Sequence, residues 1–151
     1  MYLYNTENEV NYDFAAFEEY LEEVRCRNQI KVKHAFYETA DPSVSIPYKR
    51  KILINDNYET SIHPSFEYAH EIGHVLLFSQ SQMLYGFSEL VTSAEERSAH
   101  LWAINAFYMV ASQNEHIPNY IDVMTAFGLP FSFEPLIRKV CYQYSELNDN
   151  N

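Results

Sequence analysis

An α+β fold, with a small antiparallel sheet packed on a helical layer, is what this 151-residue chain predicts. Three observations lead there. One amphipathic helical repeat comes first, short strand-like runs follow, and almost everything after residue 63 has helical periodicity. Apolar residues make up 47% of the chain, enough for one core at this length. No internal repeat or Gly/Ser-rich linker divides it, so a single domain over residues 1–146 is expected, with residues 147–151 as a frayed polar tail.

The first helix is expected over residues 13–27, where Phe14, Phe17, Leu21 and Val24 recur at three- and four-residue spacing with glutamates opposite. Residues 30–36 then alternate apolar and polar, as a half-buried strand does. Ala40-Asp41-Pro42-Ser43 is turn chemistry, and Lys51-Ile52-Leu53-Ile54-Asn55 is a further short strand closed by a turn at Asp56-Asn57. Pro64 suits the first position of a helix running to about Phe78. Residues 80–86 read as a loop, and a long helix follows over residues 93–110. Pro118 opens a short helix ended near Gly128-Leu129-Pro130, and Pro135 begins the last one, with Leu136, Ile137, Val140 and Tyr144 on its apolar face.

Composition excludes several functions. The formal net charge is −11, so the surface repels phosphate backbones and argues against direct nucleic-acid binding. Glu18, Glu19, Glu22 and Glu23 account for part of this as a solvated helix face. Thirteen tyrosines and ten phenylalanines suit an aromatic core with hydroxyls at its edge. Cys26 and Cys141 form no C-x-x-C pair and read as buried, reduced thiols. The N-terminal residues lack the basic and apolar regions of a signal peptide, and no run has the length of a membrane span, so a soluble, cytoplasmic protein is expected.

The chemistry lies in His70-Glu71-Ile72-Gly73-His74, an H-E-x-x-H motif within a strongly helical segment. Imidazoles four residues apart lie one above the other on a helix and can share a metal ion, with the intervening glutamate left as a base. Phe66, Ala69, Ile72, Val75, Leu76 and Leu77 cover most of the circumference, so the helix should be buried. Its polar side chains then need partners, which a metal would supply. Glycine inside a helix costs about 0.8–1 kcal/mol against alanine, so Gly73 implies close approach of another backbone or a substrate.

Zinc requires a third protein ligand and keeps an open position when catalytic. A metzincin would place Gly at 77 and His at 80; Leu77 and Gln80 exclude that class. The third ligand is expected from the next helix, where Glu96 heads a stripe with Ala99, His100, Ala103 and Ala106. Glu95 and His100 are fallback ligands. Ser93 with Glu96, or Thr92 with Glu95, also fits a capping box that needs no metal.

Phe66, Ala69-His70-Glu71-Ile72-Gly73-His74-Val75-Leu76-Leu77, followed by Glu96, Ala99 and Trp102-Ala103-Ile104-Asn105, resembles the ImmA/IrrE family of zinc metallopeptidases found in prophages and mobile-element regulatory loci. The resemblance spans residues 30–110. It implies a zincin-like domain with the motif on a central helix and a gluzincin-like site: His70, His74 and Glu96 bind zinc, and Glu71 is the catalytic base. The implied substrate is a partner transcriptional repressor of helix-turn-helix type, cleaved to relieve repression. One departure stands out. Four residues after the third ligand, where the family carries Asp or Asn, this chain has His100, which can orient a ligand histidine or bind metal itself. Two other readings compete: a zinc-binding regulator of little or no activity that docks on a repressor through its acidic surface, and a metal-free polar cluster. Tyr68, Tyr85, Arg97 and His63 are all candidates for stabilising an oxyanion, and the sequence does not choose among them.

Overall fold

The computed structural model describes residues 2–4, 10–12, 14–80, 85–86, 93–113 and 116–150, with the backbone alone at 2–4, 10–12 and 85–86. Two short strands, β1 (Tyr2–Tyr4) and β2 (Val10–Tyr12), pair antiparallel near the N-terminus. Helix α1 (Ala15–Arg27) follows, burying Phe17, Leu21 and Val24 at the expected spacing. Then come β3 (Lys31–Ala35), β4 (Val44–Ile46), a 3-10 turn at Pro47–Lys49, and β5 (Lys51–Asn55). The motif helix α2 spans Pro64–Leu77, and β6 (Tyr85–Gly86) lies between it and α3 (Ala94–Ala111). Helices α4 (Tyr120–Phe127) and α5 (Glu134–Asp149) complete the described chain. Among the described residues, no helix is long and apolar enough to cross a membrane.

The expected class, α+β, is what the elements form. The sheet, however, is mixed rather than antiparallel. Its order is β3-β5-β4-β6; β3 and β5 run parallel, whereas β4 is antiparallel to both β5 and β6. The reason is β4, which the sequence reading missed because three residues between Pro42 and Pro47 carry little periodicity. Its extra chain reversal turns β5 to run alongside β3. Asn55, 5% exposed, holds the intervening loop in place. Its Nδ2 donates to the carbonyls of Glu38 and Asp41, and its Oδ1 accepts from the amides of Tyr37 and Asn57. The Asn55 amide in turn donates to Ser43 Oγ.

Other departures are local. Cys26 is exposed, while Cys141 is buried as expected. Helix α5 continues through residues 147–149, where the sequence suggests a polar tail. Asn119 caps α4 by accepting from the Ile121 amide, so the helix begins just beyond Pro118.

The main core forms where α2 meets α3, with α1, α4 and α5 closing around them. Phe17, Phe66, Tyr108, Phe127 and Phe133 are its largest buried side chains. Each such burial contributes about 1.5–3 kcal/mol before entropy is counted. The buried Tyr108 hydroxyl donates to the Pro118 carbonyl at 3.0 Å. The far side of α2 packs on β4 and β5.

The start of α2 is fixed by the end of α4. The His63 amide donates to the Phe127 carbonyl at 2.8 Å, and the Ser61 hydroxyl donates to the Gly128 carbonyl at 3.3 Å. His63 then caps α2, its Nδ1 accepting from the Ser65 amide at 3.1 Å. Gly128 sits at φ 69°, and a Cβ there would lie 2.0 Å from the Ser61 carbonyl oxygen. Replacing Gly128 by Ala should therefore destabilise the fold by at least ~2 kcal/mol through strain and collision together. Urea denaturation would read this as a lower midpoint; an unchanged midpoint would show that the α4–α2 junction yields freely.

Candidate metal centre

Ten of the eleven residues of α2 from Ser65 to Val75 are buried, and three of them are the motif's ionisable residues. His70, Glu71 and His74 are each fully buried. An isolated helix would not place them so; the sheet covers one side of α2 and α3 covers the other.

Gly73 governs the approach of α3. A Cβ at this position would sit 3.2 Å from the Ala99 carbonyl oxygen and 3.3 Å from Trp102 Cβ. The expected small-residue face of α3 is also in place, with Ala99, Ala103 and Ala106 all buried. Of the two expected reasons for the glycine, close approach of a neighbouring backbone is the one seen here.

This crossing brings Glu96 to the two histidines. His74 Nε2 lies 2.9 Å from Glu96 Oε1, and His70 Nε2 lies 3.1 Å from Glu96 Oε2. The two Nε2 atoms are 3.0 Å apart. Ligand atoms of all three residues fall within 4.8 Å of one another, so this buried set could hold a metal ion. The capping alternative is half realised. Ser93 Oγ accepts from the Glu96 amide at 3.1 Å, which caps α3, but the carboxylate turns to the imidazoles rather than back to the cap.

The electrostatics suit a cation. Burial lowers the pKa of His70, outweighing the Glu96 carboxylate that raises it, so a neutral ring offers its lone pair. Burial alone would raise the Glu96 pKa, but bonds to His70 and His74 prevail and bring it to about 2. Glu71 differs. Burial pushes its pKa well above the ordinary carboxylate value, Ser45 on β4 draws it back, and the charges of Glu96 and Glu67 push it up again. Neither Glu71 oxygen accepts a hydrogen bond of full geometry among the described residues, although Ser45 lies close enough to influence its titration. A metal ion beside Glu71 would favour its ionised form and make it a usable base.

The remaining candidates divide clearly. His100 is fully buried but outside the converging set, with its Nε2 3.9 Å from Glu96 Oε2. Its ring packs against that of His70 at 4.2 Å between centroids and edge-on to Phe133 at 4.5 Å. It thus packs directly against one of the two converging imidazoles. Glu95 is half-buried and also outside the set. Arg97 is exposed, His63 is occupied as the cap of α2, and the Tyr68 hydroxyl donates to Glu22 at 2.7 Å. Thr92 and the Tyr85 side chain lie outside the described residues. Sequence reasoning passed over Ser45 and Glu67. Glu67 precedes Glu71 by one turn, which is the signal that could have found it.

No protein-family model matches the chain, and no curated protein or solved structure matches it.

Replacing Gly73 by Val should force α3 away from α2. Overpacking of this kind costs about 1–3 kcal/mol, and divalent-metal affinity should fall with it because α3 carries Glu96. Thermal denaturation with a parallel metal titration measures both. Undiminished metal affinity would mean that the crossing does not set the position of Glu96.

Proposed function

We propose that this chain is a zinc-dependent peptidase with a zincin-like domain, similar to the ImmA/IrrE metallopeptidases, that cleaves a protein substrate in the cytoplasm. The convergence of His70, His74 and Glu96 beside the buried Glu71 is the observation that carries the reading. Two imidazoles and one carboxylate form a donor set used by catalytic zinc, which keeps a fourth position open. Zinc ligands at about 2.0–2.1 Å in a tetrahedron stand about 3.3 Å apart. The two imidazole Nε2 atoms, 3.0 Å apart, are near that spacing, and Glu96 sets one carboxylate oxygen against each ring, at 2.9 and 3.1 Å.

Bound there, zinc would supply Lewis acidity, lowering the pKa of water and polarising a scissile carbonyl. The chain's own residues would do the rest. His70, His74 and Glu96 hold the ion, and the His100 ring keeps His70 in its orientation. Glu71 takes the proton of the attacking water and passes it to the leaving amine. The family resemblance supports a helix-turn-helix repressor as the substrate.

Protein purified without added metal should contain about one equivalent of zinc, and His74→Ala should lose it, as read by elemental analysis. Zinc-free protein of native fold would leave the cluster a purely structural one. The Glu71→Gln variant should retain zinc yet lose cleavage by at least about 100-fold, in line with removal of a general base. Cleavage at the wild-type rate would overturn the mechanism. Release of the repressor that survives this substitution without cleavage would instead favour regulation by docking.

A further inference from the structure

A concave site lies away from the candidate metal centre. It is a cleft of about 730 Å³ between α1, the β3–β5 face of the sheet and the first turns of α2. That volume is in the range of small-molecule sites. Its apolar surface comes from Val32 and Ile54 on the paired strands, from Tyr58 and Ile62 in the connecting loop, and from Pro64.

The charged groups around it are unequally compensated. Glu22 pairs with Arg25 at 2.9 Å, and Asp56 pairs with His34 at 2.9 Å. Glu18 and Glu67 also line the cleft, but among the described residues neither joins an ion pair. Glu18 Oε1 accepts from the Ser65 hydroxyl at 2.6 Å, and Glu67 Oε1 accepts from the Ser43 amide at 3.3 Å. Both donors are neutral. The nearby His63 has its Nδ1 engaged as the acceptor that caps α2. Glu67 is only 7% exposed, so its carboxyl has little water to solvate a charge. The cleft therefore combines an apolar lining with two carboxyl groups that, among the described residues, pair with no protein cation; burial favours the neutral form of Glu67, and a bound cation would favour its ionised form.

We propose that this cleft binds a small organic cation with an apolar body, its ammonium group held by Glu18 and Glu67 and its body lying on Val32, Ile54 and Tyr58. A hydrocarbon or aromatic portion is required by the lining, and a positive charge by the carboxyls. A neutral or anionic analogue of the same shape would gain no charge pairing from Glu18 and would leave Glu67 in its neutral form. The inference does not depend on the metal reading, since Glu18 lies on α1 and contributes nothing to the metal cluster.

Isothermal titration of the full chain with tryptamine, tryptophol and indole-3-acetate tests it, since these probes share one ring and differ in charge. The expected result is saturable binding of tryptamine at a Kd of about 1 mM or tighter, with the other two at least about tenfold weaker. Glu18→Gln and Glu67→Gln should each weaken tryptamine by about tenfold or more. The Glu18 variant keeps an oxygen to accept from Ser65, so it tests the site even if the Glu67 variant fails to fold. No saturable binding up to about 10 mM, equal affinity for tryptamine and tryptophol, or indifference to Glu18→Gln would each overturn the proposal. Indifference would also cover an amine bound at the metal centre. Repeating the titration after chelator treatment should leave tryptamine binding unchanged, and its loss there would place the amine at the metal centre and overturn the proposal.

Discussion

The contact between Gly73 on α2 and Ala99 on α3 sets the geometry on which everything else depends. Two helices approach as closely as a missing side chain permits, and the short Glu96 side chain can then span the gap to both imidazoles. A wider separation would leave three buried polar residues facing apolar neighbours, at a cost of several kcal/mol. The glycine weakens its own helix slightly and strengthens the tertiary junction, a trade that makes sense because His74 is the next residue and Glu71 and His70 lie two and three residues before it.

Much of this was legible from residue spacing. His70 and His74 at i and i+4, an apolar helix surround, and a stripe of alanines behind Glu96 together specify which faces of two helices meet. The sheet was harder to read. Val44-Ser45-Ile46 is too short to show alternation, and without it the direction of β5 relative to β3 comes out wrong. His63 as a helix cap was also invisible, because histidine is not among the residues that ordinarily cap helices. The exposure of Cys26 follows from its place on the outer side of α1, opposite Phe17, Leu21 and Val24, which the helical repeat did imply.

Burial raises the pKa of each carboxyl group along and across α2, and their partners decide the outcome. Glu96 is held ionised by two imidazoles, whereas Glu71 and Glu67, one turn apart on the same helix, are both driven toward the neutral form by desolvation. Glu71 feels the Glu96 carboxylate and Ser45, and Glu67 faces Ser43 and the cleft beside α1. One helix thus sets two buried carboxyl groups against serines, Ser45 on β4 and Ser43 just before it.

The junction between His63 and Phe127 has a bearing on how the molecule comes into being. A nascent chain that has emerged only as far as α3 already contains His70, His74 and Glu96, yet the backbone amide that begins α2 still lacks its acceptor, 64 residues further on. Contacts so distant in sequence close late and slowly. The junction that anchors the start of α2 can therefore close only after α4 has left the ribosome, and translation halted before residue 127 would yield a polypeptide bearing the full motif without that anchorage.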